Sequence, residues 1–276
     1  MIPGGFISVV LTTYSRPAAL RRALEAVAEL RPPEGGFEVV VVDDGSPEPV
    51  EGIVEEYSGR LRVRLVRQEN GGCARARNAG AAQARGEYLV FLDDDCTPPQ
   101  GWLQRLEQAF EQDPGAMIGG RQVNILHENR FSAASQLLVD FLLEAANPDR
   151  RAGTYLNNIA LRRSDFEAMG GFDPTFSKSA EDRDFCDRWL GAGRQIIYEP
   201  GITVDHAHHL TLRSYWRQHA GYGRGVVHRW RKHTRGPQQP VYYLRLLSYP
   251  FSRCPVGEAV ASRSEERRVG KECIYR

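Results

Sequence analysis

Three consecutive carboxylates, Asp93-Asp94-Asp95, follow directly on the apolar run Tyr88-Leu89-Val90-Phe91-Leu92. Adjacent carboxylates repel one another and call for a positive partner. Hard oxygen ligands of this kind suit Mg²⁺ or Mn²⁺, which bind through few carboxylates together with substrate phosphates. The glycine and the distant glutamate of an EF-hand loop are missing. Acidic triplets also occur as solvated surface turns, and it is the place at the end of a buried run that argues for a metal. A second acidic stretch, Asp43-Asp44-Gly45-Ser46, follows Val39–Val42. It reads either as a turn, which these residue types favour, or as a hydrogen-bond acceptor for a nucleobase or ribose. A third block, Asn70 to Gly80, combines glycines, basic residues and a helix start. Amides at a helix N-terminus favour anions, but the Gly-Lys-Ser/Thr of a Walker loop is absent.

These residues need a frame that gathers them. In the first half of the chain, short β-branched runs (Ile7–Leu11, Phe37–Val42, Leu61–Val66, Tyr88–Leu92) alternate with helix-like stretches (Pro17–Leu30, Val50–Tyr57, Ala74–Ala84). Such alternation predicts βαβ units and a parallel sheet, and near-continuous apolar runs fit strands covered on both faces. Ligands of such sheets bind beyond the carboxyl ends of the strands, where the polar clusters fall. From about residue 115 the alternation breaks. Strands are expected at Met117–Val123, Tyr155–Leu161, Arg194–Tyr198 and Ile202–Val204, and helices at Ser132–Ala146, Ser164–Met169, Glu181–Leu190 and Leu212–Trp230.

The ordered set of motifs resembles the family-two glycosyltransferases with the GT-A fold. The resemblance rests on Val9-Val10-Leu11-Thr12-Thr13-Tyr14-Ser15-Arg16, Asp43–Ser46, the Asn70–Gly80 block, Asp93–Asp95, Asn158–Arg163 with Gly170-Gly171-Phe172-Asp173, and Glu181-Asp182. It runs over about residues 6–225. It implies an α/β fold with a Rossmann-like, mostly parallel central sheet flanked by helices. A nucleotide-sugar half at about 1–115 and an acceptor half at about 116–210 would make one GT-A domain, followed by a basic helical extension at 211–262. By the same resemblance, Thr12, Tyr14, Arg16 and Asp44 would line the nucleoside pocket, with Asp43 near it and Arg77 approaching the nucleotide or its phosphates. Asp93 and Asp95 would contact ribose and metal, with Asp94 between them. Asp182, beside Glu181, would be the general base, and Mg²⁺ or Mn²⁺ the cofactor. His206, 24 residues beyond Asp182, would be a further metal ligand, with His208 its rival. The implied reaction is inverting transfer of a sugar from a nucleoside-diphosphate sugar, a UDP-sugar by family frequency, to a hydroxyl acceptor that is a sugar or is lipid-linked. The Gln-X-X-Arg-Trp acceptor motif of processive synthases is absent, which favours transfer of one or a few sugars.

Two rival readings stand beside it. Nucleotidyl transfer would want a glycine-rich loop after the first strand, and Thr12–Arg16 has no glycine. A nucleotide-sugar or membrane-surface binding module without catalysis would not need the intact acidic pair Glu181-Asp182. The composition is that of an ordinary globular chain: 276 residues, 41% hydrophobic and 26% charged. A net charge of +1 gives no electrostatic footprint for nucleic acid. Five cysteines at 73, 96, 186, 254 and 273 form no Cys-X-X-Cys pair and fit reduced thiols. With no signal-peptide pattern at the start, a cytoplasmic place is expected. Residues 206–257 contain no Asp or Glu but nine Lys and Arg and six His, which suits a solvated basic face or peripheral contact with an anionic surface at the inner plasma membrane. Arg263–Cys273 read as the translation of a common sequencing adapter, so 263–276 are set aside and the natural chain is expected to continue past 262.

Overall fold

The computed structural model describes residues 5–147, 158–176 and 179–233, together with 244 and 246. Residues 155–157 of the strand expected to begin at Tyr155, most of the extension beyond 233 and the adapter-like tail lie outside the described residues. Residues Met1–Arg235 form one compact unit and Gly236–Arg276 another. The sheet and the helices that cover it belong to the first unit.

Among the described residues, eight strands form a single sheet in the order β3-β2-β1-β4-β7-β6-β8-β5. They are β1 Ile7–Thr13, β2 Phe37–Asp43, β3 Val63–Arg67, β4 Tyr88–Asp93, β5 Cys96–Thr97, β6 Met117–Asn124, β7 Ile159–Arg162 and β8 Ile196–His206. The first-half strands pair in parallel, as does β6 with β8, whereas β7 is antiparallel to both β4 and β6, and β5 to β8. The sheet is therefore mixed: the first half of the chain builds the parallel block β3-β2-β1-β4, and β6 with β8 adds a second parallel pair.

The helices among residues 5–233 that are described are α1 Pro17–Ala28, α2 Glu51–Glu55, α3 Cys73–Gln83, α4 Trp102–Gln112, α5 Arg130–Ala146, α6 Arg163–Ala168, α7 Glu181–Gly191 and α8 Leu212–Lys232. Pro17 opens α1, where its fixed φ and missing N–H do no harm. The period-two pattern of the strands divides two cores. Val9, Leu11, Val39 and Val41 pack with α1 and α4, while Val10, Val40 and Val42 pack with α3, Phe166, Phe172 and Phe185. On the second face, Phe91, Phe166 and Phe172 meet with ring centroids 5.0–5.2 Å apart, and Phe185 joins at 5.1–5.3 Å, fastening α6 and α7 to β4.

Helix α3 lies flush on β1 and β2 because its inner face is small: Ala74, Ala76, Gly80 and Ala81. A Cβ at Gly80 would stand 2.4 Å from Val10 Cγ1 and 2.9 Å from Val42 Cγ2. The two strands expected at 194–198 and 202–204 are one bulged strand. Pairing steps from Gly119–Tyr198 to Arg121–Thr203, so residues 199–202 oppose Gly120 alone. Gly120 admits this because a Cβ there would lie 1.6 Å from the Ile202 carbonyl oxygen. Helix α4 was not expected. Its buried Trp102, Leu103, Leu106, Ala109 and Phe110 nonetheless recur at helical spacing. Among the described residues, no helix is long and apolar enough to cross a membrane.

Candidate active site

Register collects the polar strand ends. Thr12 of β1 stands opposite Val42 and Asp93, and Thr13 opposite Asp43, so β1, β2 and β4 finish at one edge of the sheet. Immediately beyond β4, the Asp94 carboxylate accepts from Thr13 Oγ1 at 2.7 Å and from Arg16 Nη1 at 3.1 Å. Arg16 Nη1 also donates to Asp95 Oδ2 at 2.9 Å, so one guanidinium supplies the positive partner that adjacent carboxylates need. Burial raises Asp94 to about 6, against the lowering pull of Arg16. Tyr14 projects from the same loop and is 47% exposed.

The two-residue strand β5 brings in the imidazoles. Cys96 pairs with His206 and Thr97 with Asp205, which lays the end of β8 against the acidic strand end. His206 Nε2 is 3.4 Å from Asp95 Oδ1, and His208 Nδ1 is 3.9 Å from Asp95 Oδ2. Ligand atoms of Asp95, His206 and His208 all lie within 4.8 Å of one another. Both histidines, not one in place of the other, face Asp95. Burial acts to raise Asp95, but His206, Arg16 and His208 outweigh it and hold the carboxyl below the usual range. Burial acts to lower His206, and Asp95 outweighs it, so His206 is raised; His208 is lowered by burial first. One carboxylate with two imidazoles is a donor set that fits a divalent transition metal better than Mg²⁺, which prefers oxygen.

Asp93 points elsewhere. Its Oδ1 accepts from Arg77 Nη2 at 2.7 Å, and Arg77 Nη1 donates to Glu181 Oε1, also at 2.7 Å. The buried Arg77 guanidinium thus spans from the acidic strand end to the first residue of α7, with the Phe172 ring 5.7 Å from its Cζ. Burial raises the Glu181 carboxyl, Arg77 opposes this, and Asp182 and Asp93 add to the rise. Asp182 is only half-buried, and its Oδ1 accepts from the Arg183 amide at 2.7 Å. Ala180, just before the pair, holds φ +74° at the start of α7, a left-handed conformation that strains a residue with a Cβ.

Asp44 is buried and takes four hydrogen bonds. Its Oδ1 accepts from Gln68 Nε2 at 2.7 Å and the Gly71 amide at 2.8 Å, and its Oδ2 from the Gly72 amide at 2.9 Å and Asn70 Nδ2 at 3.3 Å. The glycine-rich amides before α3 do bind an anion, and that anion is the chain's own Asp44. Asp43 Oδ1 accepts from the Ser46 amide at 2.9 Å, and its Oδ2 faces Arg67 Nε at 3.7 Å. Both carboxylates fix the loops that shape the β1–β2 edge. Thr13, Asn70 and Asn78 fall inside the sequence motifs without a role of their own there, and Gln68 lies outside them. Asn78 exchanges hydrogen bonds with the Phe172 backbone, at 2.7 and 2.9 Å, and ties α3 to the segment before α7. Single amides inside helices and loops carry no pattern that periodicity could detect.

Helix α8 forms a wall of the same region. Thr211 caps it in a reciprocal box with Ser214, five residues beyond His206. Ten residues on, the Gly221 carbonyl accepts from Ser179 Oγ at 3.1 Å, beside Ala180 and Glu181. The Tyr222 hydroxyl accepts from Gln218 Nε2. It is raised by burial first and then by the negative fields of Asp182, Asp95 and Asp93. The far end of α8 is clamped by charge. Asp184, 0% exposed, receives Arg188 at 2.8 Å, Lys232 at 2.6 Å and His233 at 2.9 Å. Arg229 grips Asp187 at 2.6 and 2.8 Å, and Lys232 also reaches Asp173 at 2.6 Å.

Residues 8–174 match the family described as glycosyl transferase family 2. The chain is 33% identical over 225 residues to a pre-mycofactocin glycosyltransferase of Mycobacterium tuberculosis, covering 79% of this chain and 46% of that protein. It is 28% identical over 206 residues to the glycosyltransferase AglE of Haloferax volcanii, covering 73% of this chain and 66% of that protein. The chain thus spans about half to two-thirds of these relatives. In three dimensions it is similar to the mannosyltransferase PcManGT from Pyrobaculum calidifontis, in complex with GDP-Man and Mn²⁺. The TM-score is 0.67 at 22% identity, over 89% of this chain and 69% of that one. The fold seen here is thus the GT-A type.

Proposed function

The chain belongs to glycosyl transferase family 2, and on that footing we propose that it transfers a sugar from a nucleoside-diphosphate sugar to an acceptor hydroxyl with inversion at the anomeric carbon. The observation that carries this reading is the Arg77 bridge. One guanidinium holds Asp93 and Glu181 at 2.7 Å each, so the acidic strand end and the acidic start of α7 are held side by side. A donor with its diphosphate at the strand end would then present its anomeric carbon toward Asp182.

Asp182 takes the acceptor proton as the acceptor oxygen bonds to the anomeric carbon and the bond to the diphosphate oxygen breaks. The carboxylate of Asp182 is half-buried, whereas Glu181 is buried and paired to Arg77. Asp95, His206 and His208 would hold a divalent cation, Mn²⁺ by their chemistry, which when bound supplies charge neutralisation for the departing nucleoside diphosphate. Arg16, beside Asp94 and Asp95, keeps these carboxylates together and adds positive charge at the same end. A UDP-sugar donor, a sugar or lipid-linked acceptor and a cytoplasmic position at the membrane surface complete the reading, with a part in cell-surface glycan or glycolipid synthesis. One relative is named for pre-mycofactocin, so the acceptor is the first thing to measure once a donor is known.

The test is release of free nucleoside diphosphate from a panel of UDP-, GDP- and dTDP-sugars, with Mn²⁺ and with chelator. One donor should be consumed, and only with metal. Binding of the donors without release under any condition would favour a binding module instead.

A further inference from the structure

Helix α8 has two faces, and among the described residues one of them carries its packing contacts. Its inner side meets α7 through Arg229 and Lys232, Ser179 through Gly221, and Phe131 of α5 through Tyr215, ring to ring at 6.0 Å. Its outer side carries large apolar groups in the open: Leu212 at 55%, Trp216 at 67% and Val227 at 41% exposure. With Ala220 and Gly223 these fall at i, i+4, i+8, i+11 and i+15, a single stripe along a 21-residue helix roughly 30 Å long. Directly beside the stripe, one step further round the helix, run Arg213, Arg217, Arg224 and Arg231, all exposed. Among the described residues, none of these four has a carboxylate partner, whereas Arg229 and Lys232 on the inner side do.

We propose that the outer face of α8 is a docking surface for an anionic lipid bilayer, with Leu212, Trp216 and Val227 entering the interface and the arginine row on the headgroups. Helices that lie in an interface carry this pairing of an apolar stripe with a basic flank, and tryptophan favours the headgroup level. Charge selects the occupant. A second copy of the chain would set arginine against arginine, and residues 206–257 contain no acid to relieve it. A bilayer surface of negative potential supplies the missing counter-charge along the whole row. The inner side of the same helix meets Ser179, just before Glu181 and Asp182, so a chain docked this way would hold its acceptor side at the membrane. That last link rests on the transferase reading above, while the docking itself does not.

The experiment is flotation of the full chain with vesicles of phosphatidylcholine alone or with about one-third phosphatidylglycerol, at low and high salt. Wild type should float with the anionic vesicles only, less so in high salt, with a blue shift of tryptophan emission. The triple change Arg213→Gln, Arg217→Gln, Arg224→Gln should lower partitioning about a hundredfold, at about fivefold per charge. Trp216→Ala should lower it about tenfold or more. All altered side chains are exposed, so both variants should keep the wild-type melting temperature. Equal binding to neutral vesicles, no binding, or an undiminished triple variant overturns the proposal. So does a solution dimer in light scattering that Trp216→Ala dissolves. No sugar donor is present in the experiment, so a failed transferase reading leaves its result untouched, and a failed docking leaves the donor assay untouched.

Discussion

Asp182 and Glu181 are neighbours with opposite surroundings. Glu181 is buried and paired to Arg77, and Asp182 stands half-buried at the mouth of α7. In the proposed reaction Asp182→Asn would keep the shape and remove the proton acceptor, so transfer should fall by about 10²–10⁴ while nucleotide affinity, measured by calorimetry, stays near wild type. If Glu181→Gln abolishes transfer and Asp182→Asn does not, the base is Glu181. Arg77 acts differently. Arg77→Met would leave Glu181 buried without its cation, and breaking a buried pair from one side typically costs about 3–5 kcal/mol. A urea midpoint lowered accordingly is the expected result. An unchanged midpoint would mean that Glu181 finds another partner or takes a proton, which its raised pKa makes easier.

At the scale of elements, two packings carry the site. Gly80 lets α3 approach β1 and β2, and α3 carries Arg77. Gly80→Ala gains about 1 kcal/mol of helix propensity. It also drives a methyl into Val10 and Val42, and overpacking of that kind costs about 1–3 kcal/mol. The close branched neighbours set the upper part of that range, so net destabilisation is expected in denaturant titration. The second packing is the clamp of α8 on α7. Lys232 and Thr175 outweigh burial and hold Asp173 at about 2, and Asp184 is likewise lowered by Lys232, Arg188 and His233 against its burial. A carboxyl whose folded pKa is depressed gives its full stabilisation above the unfolded value, near pH 4, and loses it as pH falls toward the folded value. Stability should therefore decline from about pH 4 to about pH 2, and the decline should be shallower in Lys232→Met, whose Asp173 is less depressed. Parallel slopes for the two proteins would remove Lys232 from the clamp.

At the largest scale described, one sheet carries the acidic strand ends of β1, β2 and β4 and, toward its other edge, the imidazoles at the end of β8, brought to the acidic end through β5. A nucleotide and a metal that bind only this assembled edge must stabilise the fold by mass action. UDP with Mn²⁺ should raise the melting temperature by a few degrees when both are well above their dissociation constants, whereas UDP with chelator should not. Asp95→Ala should erase the difference, because Asp95 is the carboxylate shared by both histidines.

The sequence by itself determined the strand–helix alternation of the first half and the acidic strand ends. Hydrophobic periodicity is local, and the strands are buried on both faces, so their apolar runs stand out. It also carried the ordered motifs of the family, because each is a short contiguous string. What each charged group touches was decided only in three dimensions. Asp44 turns inward to the Gly71 and Gly72 amides, and Arg77 spends its guanidinium on Asp93 and Glu181, 104 residues apart in the second case. The meeting of Asp95 with His206 and His208 depends on a two-residue strand too short to leave a periodic signal. Long-range pairing of polar groups leaves no such signal because it is fixed by the packing of elements distant in the chain, and that packing is settled by the apolar faces of those elements rather than by the polar residues they deliver.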